Sequence, residues 1–580
     1  MTGTHKSNYG HICLTGADGR VDDPQVVADM LNNFFVKTPL DLVGDITKGT
    51  STEYGTDPLP HSIFLMPFTE SELYNLLFSK LKNSKSSEPD SIPVFIIRLV
   101  LDAIIPPLLY LINLSFSTGT FPEALKVGKV IPVFKGKGSA GSLENYRPIN
   151  VSNSFSKIFE YPFLDRLLCF LDKHHVITEH QHGFRAGHST TSAVGAFYRR
   201  TVELIDAGEC PVGIFCDLSR AFDCVSHSKL FTVLFDVGIR GVALEWVSAF
   251  LLDRRQYVAV HGGKRGKCTS TLSTVSMGVA QGSVLGPLLF ILYVNNIDSA
   301  LGTTFFTMYA DDLAMLVSHA SDAGLKKECG RVLSGASDFF AEYSLYFNVS
   351  KTKIIRFHNW QRNCGFIDVS IGGVSLPVCD DVKFLGTCLD ESLTWRPHCE
   401  NLSSKLSSIR YLFVNLKPVL TRAQLLNLYY SQVESRLRQG IRFWGNSAWS
   451  QKVFIAQKQI LRTMAGVPNR HSCGQIFPDF NLLTVHGLYI FETCVYVYSN
   501  RHVFAKVSDI HPVNTRQRDK LYVPFTKFSV VSRSSEYAGL KIFNSLPAHL
   551  RELTGCRVFK RELKQYLVAR CLYKVSEFSG

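Results

Sequence analysis

The sequence predicts an α+β protein in which helices pack on one face of an antiparallel sheet. Three observations carry this. A strand ends on a carboxylate at Val212-Gly213-Ile214-Phe215-Cys216-Asp217. Two helical stretches follow it, and then two apolar runs enclose an acid pair, Phe305-Phe306-Thr307-Met308-Tyr309-Ala310-Asp311-Asp312-Leu313-Ala314-Met315-Leu316-Val317. That order of strand, helix, helix and hairpin is the signature of helices laid against an antiparallel sheet.

Taken in order, residues 1–60 are rich in Gly, Asp and Thr, with one short amphipathic segment from Val26 to Phe35, and read as a tail or linker remnant. Lys82 to Pro93 is a polar turn region that opens a helical run, Val94 to Phe116. Arg98, Asp102 and Pro106-Pro107 interrupt this most apolar stretch, which argues against a membrane span. Val130-Ile131-Pro132-Val133-Phe134 is a short strand, and Lys135-Gly136-Lys137-Gly138-Ser139-Ala140-Gly141 follows it. The loop contains G-x-G-x-x-G, but a dinucleotide fold needs a helix directly behind it. Here Pro148 favours extended chain, so the loop reads as a lysine-bearing hairpin tip able to meet phosphate. Phe155 to Leu171 is helical, a second helix starts near Ser226, and the loop Gly278 to Gly282 leads into an apolar helix from Pro287 to Ile297. Beyond about residue 385 the chain is mostly helical, ending in an amphipathic, basic stretch from Arg551 to Lys574.

At 580 residues the chain exceeds one ordinary core, and with 46% hydrophobic and 19% charged residues it is a folded, not a disordered, protein. A net charge of +13 favours a polyanionic partner, nucleic acid before membrane. The fifteen cysteines are scattered, and Met1 to Ser7 has no apolar signal core, so reduced thiols in an intracellular protein are expected. No two cysteines have zinc-finger spacing, so no zinc site is expected.

In the hairpin, Asp311 and Asp312 occupy the turn, and adjacent strand residues face opposite ways. One is expected to be a principal ligand and the other its neighbour. With Asp217 they form the carboxylate set that two Mg²⁺ ions need: a hard cation prefers oxygen and completes its shell with substrate phosphates. Phosphoryl transfer asks mainly for positioning and charge neutralisation, which acids for metal and Lys or Arg for triphosphate supply.

Six motifs in order make the chain resemble the reverse transcriptases of non-LTR, jockey-like retrotransposons between about residues 80 and 390. They are Asn145-Tyr146-Arg147-Pro148-Ile149, Gln181-His182-Gly183-Phe184-Arg185, Phe215 to Asp223, Ala280 to Pro287, Tyr309-Ala310-Asp311-Asp312 and Phe384-Leu385-Gly386. The resemblance implies a right-hand polymerase with fingers (61–205), a palm (206–383, with finger insertions) and a primer grip and thumb (384–480), preceded by the tail (1–60) and followed by a basic C-terminal extension (481–580). It implies an RNA-directed DNA polymerase with an RNA template, a DNA primer or target, deoxynucleoside triphosphates and two Mg²⁺ ions, Mn²⁺ being a possible substitute. Asp217, Asp311 and Asp312 match the metal-binding triad, with the Leu218 carbonyl at the second metal. Lys135 and Arg147 match residues that grip the triphosphate, Lys351 the lysine near the leaving pyrophosphate, and Gln281 and Gly282 the loop at template and nucleotide. Phe222 matches the bulky residue under the sugar, where a ring leaves no room for a 2′-hydroxyl. Phe384, Leu385 and Gly386 match the primer grip. The resemblance further implies a cytoplasmic ribonucleoprotein that acts in the nucleus.

Two departures stand out. Glu88-Pro89-Asp90-Ser91 replaces a Gly-Pro-Asp-Gly turn, which casts doubt on that loop's usual contacts, and Ala280 stands where proline is usual. Fewer than about 90 residues precede the fingers, too few for the endonuclease of full-length relatives. A polymerase-only product or a truncated copy is therefore expected, the alternative being a catalytically silent nucleic-acid-binding remnant retained by the host. Phe222 argues against an RNA-templated RNA polymerase.

Overall fold

The computed structural model describes residues 12–16, 19–46, 58–84, 92–262, 266–358, 367–371, 373–510, 518–526, 532 and 534–578. Glu88 to Ser91 lie outside the described residues.

The first described elements are a small hairpin, β1 (Leu14–Gly16) and β2 (Gly19–Val21), then a long helix α1 (Pro24–Ile46). Helices α2 (Glu70–Lys80), α3 (Val94–Leu99) and α4 (Leu101–Thr118) lead to the hairpin β3 (Val127–Phe134) and β4 (Tyr146–Val151). Helices α5 (Ser154–Lys173) and α6 (Thr190–Asp206) precede β5 (Val212–Cys216) and the short β6 (Leu218–Ser219). Next come α7 (His227–Asp236), α8 (Val242–Leu251), β7 (Arg254–His261), β8 (Lys267–Thr269), β9 (Ser273–Val275) and α9 (Gly286–Tyr293). The hairpin β10 (Phe305–Tyr309) and β11 (Asp312–Val317) is followed by α10 (Asp322–Glu342), β12 (Tyr346–Phe347) and β13 (Lys353–Arg356). A further hairpin, β14 (Asp381–Phe384) and β15 (Thr387–Asp390), opens the helical remainder. Its main helices are α11 (Arg396–Leu416), α12 (Ser450–Ala465), α13 (Val485–Ser499), α14 (Tyr537–Asn544) and α15 (Cys556–Arg570).

The central sheet has the order β10-β11-β5-β13 and is antiparallel throughout. The expectation that helices cover only one of its faces is wrong. Every residue of β5, and every residue of β11 after Asp312, is buried. Ile214, Met308, Leu313, Met315 and Ile354 enter a core shared with α5, α7, α8, α9 and α10. Phe215, Ala314, Leu316 and Ile355 enter a second core with α6, α11, α12 and α13. The near-continuous apolar runs of these strands are the reason, since a strand buried on both faces has no polar alternation.

A second sheet, β4-β3-β7-β8 with β9 also on β7, pairs β3 with β7 in parallel and β3 with β4 as a hairpin. The extended reading of Tyr146 to Val151, and with it the rejection of a dinucleotide fold, agrees with this pairing.

Five other expectations need correction. Residues 24–46 are no tail: Val27, Ala28, Leu31 and Phe35 bury against Val130, Tyr146, Val258 and Val260, a stripe at helical spacing within the short segment read from sequence, and the helix runs on past that segment to Ile46. The run from Val94 is two helices, because Val100 leaves helical geometry at φ −108°, ψ 11°. The α4 segment has the length and composition to cross a membrane, yet its Leu101, Ile105, Leu108, Ile112 and Phe116 stripe is buried in the first core. Helix α9 ends at Tyr293, with Asn295–Ile297 a separate 3-10 turn. Lastly, no structural boundary falls at residue 481, since Tyr489, Ile490 and Cys494 of α13 and Phe559 and Leu563 of α15 lie in the same core as α11 and α12. Thirteen cysteines are free among the described residues, while Cys210 is disulfide-bonded, contrary to uniformly reduced thiols.

Candidate active site

The acid pair sits where two short-range constraints meet. In the β10–β11 hairpin Tyr309 pairs with Asp312, so Ala310 and Asp311 form a two-residue turn. Ala310 takes φ +56°, unusual for a residue with a Cβ. The turn is held from outside by buried Gln181. Its side-chain oxygen accepts hydrogen bonds from the Ala310 N–H at 3.1 Å and the Gly183 N–H at 2.8 Å. The chain on either side of Gln181 is stitched to β10, with His182 N–H donating to the Met308 carbonyl and Met308 N–H to the His180 carbonyl, both at 2.8 Å. Gly183 approaches so closely that a Cβ there would lie 2.5 Å from the Ala310 nitrogen.

Register delivers the third acid. Leu313 pairs with Cys216, which puts Asp217 next in line beside Asp312 at the open end of the sheet. Asp217 and Asp311 line one cleft of about 380 Å³, together with Lys135, Tyr146, Arg147, Pro148, Leu218, Arg220, Ala221, Phe222, Asp223, Gln281 and Lys351. Its size lies in the range of small-molecule sites. Asp312 is not in this lining, although it lies opposite Asp217 in the strand register.

The electrostatics are those of a crowded site. Burial raises the Asp311 carboxyl, and the neighbouring Asp217 adds to this, while Arg147 and Lys351 pull it back. Asp312 is pushed up to about 6 by burial, then by Asp311 and Asp217. Asp223, bonded by the Gln281 amide at 2.8 Å, is also raised to about 6 by burial. Lys135 is lowered by burial and by the nearby positive charges of Arg220, Lys351 and Arg147.

Among the described residues no three His, Cys, Asp or Glu side chains form a ready-made metal cage. Asp217 instead pairs with the Lys351 ammonium at 2.7 Å. Lys351 ends a 3-10 turn, Val349–Lys351, capped by the Asn348 side chain, whose amide also donates to Ser219. The Asn348 N–H donates to the Asp217 carbonyl, and Phe347 pairs with Leu218. The motif from Asn348 to Thr352 is thereby fastened to the Asp217 strand end.

Lys135 and Arg147 come from the β3–β4 hairpin, where Val133 pairs with Arg147. Lys135 donates to the Glu144 carbonyl at 2.6 Å. The Phe222 ring is half-buried and stacks on Phe290 at 4.3 Å. Gly282 lies just behind the cleft at φ +124°, with a would-be Cβ 2.2 Å from the Asn150 carbonyl, and Asn150 N–H donates to the Gln281 carbonyl at 2.8 Å. The glycine lets this loop lie flat against β4.

Phe384, Leu385 and Gly386 do not join the cleft. Leu385 and Gly386, at φ +46° and +84°, form the turn of the β14–β15 hairpin. Buried Phe384 packs on Phe215 at 5.3 Å, in the strand that ends on Asp217, and Gln439 donates to the Leu385 carbonyl at 3.2 Å. Sequence reasoning assigned no role to Gln181, Gly183, Asn150, Arg220 or Asp223. All but Asn150 sit inside the quoted motifs, so the signal was present and only the partners were missing.

Residues 135–389 match the family described as Reverse transcriptase (RNA-dependent DNA polymerase). This part of the chain is similar to reverse-transcriptase domains, whose right-hand polymerase fold is consistent with the mixed helix and sheet found here. Its similarity extends to the jockey-like proteins of non-LTR retrotransposons. It is 28% identical over 479 residues to the RNA-directed DNA polymerase from mobile element jockey of Drosophila melanogaster, covering 80% of this chain and 50% of that one. It is 26% identical over 415 residues to the protein of the same name from Drosophila funebris (69% and 44%) and 26% over 444 residues to the probable RNA-directed DNA polymerase from transposon BS of Drosophila melanogaster (74% and 48%). The chain spans about half the length of the curated relatives it matches.

Proposed function

We propose that the chain extends a DNA 3′ end on an RNA template with deoxynucleoside triphosphates. The observation that carries this is the meeting of Asp217 and Asp311, far apart in sequence, in one cleft with Lys135, Arg147 and Lys351. In this reading the β3–β4 hairpin belongs to the fingers, the central sheet to the palm, and the helices after β15 to the thumb and its C-terminal continuation.

The residues fit a divalent cation: buried, mutually repelling carboxylates at Asp311 and Asp312 are what a cation neutralises. Asp217 and Asp311 would hold Mg²⁺, or Mn²⁺ in its place, with the Leu218 carbonyl alongside and Asp312 behind; when bound, the ions activate the 3′-hydroxyl and offset triphosphate charge. Lys351, now on Asp217, is placed to exchange that carboxylate for the leaving pyrophosphate. Lys135 and Arg147 bind the incoming triphosphate, and its negative charge offsets the burial and the repulsion that depress Lys135. Phe222, backed by Phe290, blocks a 2′-hydroxyl. Phe384 to Gly386 support the primer end from the hairpin beneath Phe215. Copying at a chromosomal target places this work in the nucleus.

The test is incorporation by the purified chain on a poly(rA) template with an oligo(dT) primer and Mg²⁺ or Mn²⁺. The wild type extends the primer and Asp311→Ala does not. Retained extension in that variant removes Asp311 from the mechanism, and RNA binding without any extension by the wild type supports a silent binding protein instead.

A further inference from the structure

Arg220 lies three residues beyond Asp217, in a left-handed conformation at φ +49°, and lines the same cleft. Its guanidinium carbon is 4.5 Å from the centre of the Phe34 ring on α1. Its Nη1 atom is buried and has no hydrogen-bond partner among the described residues. A buried charged donor without an acceptor is costly, so its retention at a cleft wall points to a ligand. The two lysines of the wall are engaged, Lys351 by Asp217 and Lys135 by the Glu144 carbonyl. The acids of this wall are Asp217, Asp223 and Asp311, of which Asp217 is held by Lys351 and Asp223 by Gln281, the Arg220 charge also acting on Asp223 without a hydrogen bond to it. A guanidinium offers a planar fork suited to two phosphate oxygens.

The ring that carries Arg220 is not loosely placed. Asp29 accepts from the Thr271 N–H at 2.9 Å and from its hydroxyl at 3.1 Å. The Asn32 amide donates to the Thr271 carbonyl and the Ser273 hydroxyl, and its oxygen accepts from Gln256. Phe35, next to Phe34, is buried in the core that includes Tyr146, the neighbour of Arg147. Helix α1 thus holds one cleft cation by its ring and supports the strand that carries another.

We propose that Arg220 binds the phosphates of the incoming nucleotide and that Phe34 of the N-terminal helix positions it for this. The inference rests on the polymerase reading for the identity of the ligand, while the phosphate site itself can be measured without it.

The experiment uses the full chain with Arg220→Ala, Arg220→Lys, Phe34→Leu and the Phe34/Arg220 double variant. Binding of inorganic tripolyphosphate is measured by calorimetry, and single-nucleotide incorporation gives KM and kcat. Loss of a charged hydrogen bond weakens tripolyphosphate about tenfold or more in Arg220→Ala, with partial recovery in Arg220→Lys. Loss of the ring contact weakens it about threefold in Phe34→Leu. The double variant is no weaker than Arg220→Ala, and KM for nucleotide follows the same order while kcat stays within about twofold. Unchanged tripolyphosphate affinity in Arg220→Ala overturns the proposal. So does a Phe34→Leu loss that persists in full on the Arg220→Ala background, because the ring would then act through general packing. A wild type that binds tripolyphosphate through Arg220 but extends no primer sinks the polymerase reading and leaves this site standing.

Discussion

Replacing Gln181 with leucine keeps the volume of a side chain that is 1% exposed and removes one acceptor. Two buried N–H groups, of Gly183 and Ala310, lose their partner. Each unsatisfied donor costs roughly 1–3 kcal/mol, so the variant should lose about 2–4 kcal/mol after partial relaxation. The loss falls on a turn already strained by Ala310 at φ +56°, and the carboxylate that moves when it relaxes is Asp311. Displacing a reacting group by about 1 Å can cost on the order of a hundredfold in rate. Urea unfolding should register the stability loss, and single-turnover incorporation a fall in rate of more than about tenfold with template–primer affinity unchanged. A Gln181→Leu protein that unfolds earlier yet incorporates at the wild-type rate refutes the claim that this acceptor sets the position of Asp311.

Other perturbations test neighbouring parts. Phe222→Ala opens space under the sugar and should raise ribonucleotide incorporation; it also removes the stack on Phe290 and costs about 3 kcal/mol of stability, so unchanged sugar selection in the folded variant refutes the steric role. Gly282→Ala drives a methyl group to 2.2 Å from the Asn150 carbonyl at a φ of +124°, and should cost at least about 2 kcal/mol and raise KM for nucleotide; wild-type values would show the loop free of β4. The pH dependence has a definite sign. Asp312 and Asp223 titrate near 6 in the folded chain against 3.8 in the unfolded one, so the folded state holds the extra protons. Their contribution to stability is full below pH 3.8 and is lost as pH rises through 6. Mg²⁺ should therefore raise the melting temperature at pH well above 6 and do little at pH well below it; equal shifts at both would place the ion elsewhere.

The site was legible where chemistry and local geometry coincide. The acid turn needed only two apolar runs around Asp311 and Asp312. Asp217 could be placed at a strand end from its apolar run, but its register with Leu313 is a long-range fact. The supporting contacts were hidden for the same reason. Nothing local in Gln181 says that its amide oxygen caps a turn more than a hundred residues later, or in Phe34 that its ring carries Arg220. Composition misled on α1: a polar, glycine-rich start masked a helix whose stripe of Val27, Leu31 and Phe35 needs β3 and β7 to be buried. The burial of both sheet faces was written in the unbroken apolar runs of β5 and β11, but a short apolar run does not say what will cover it.

The most direct test locates the cation. A crystal of the chain with template–primer, a non-hydrolysable deoxynucleoside triphosphate and Mn²⁺ would mark metal by anomalous scattering. Mn²⁺ is expected between the carboxylates of Asp217 and Asp311, with the Lys351 ammonium moved off Asp217 onto phosphate. Mn²⁺ bound away from these two side chains, with the Lys351–Asp217 pair intact beneath a bound nucleotide, would contradict it.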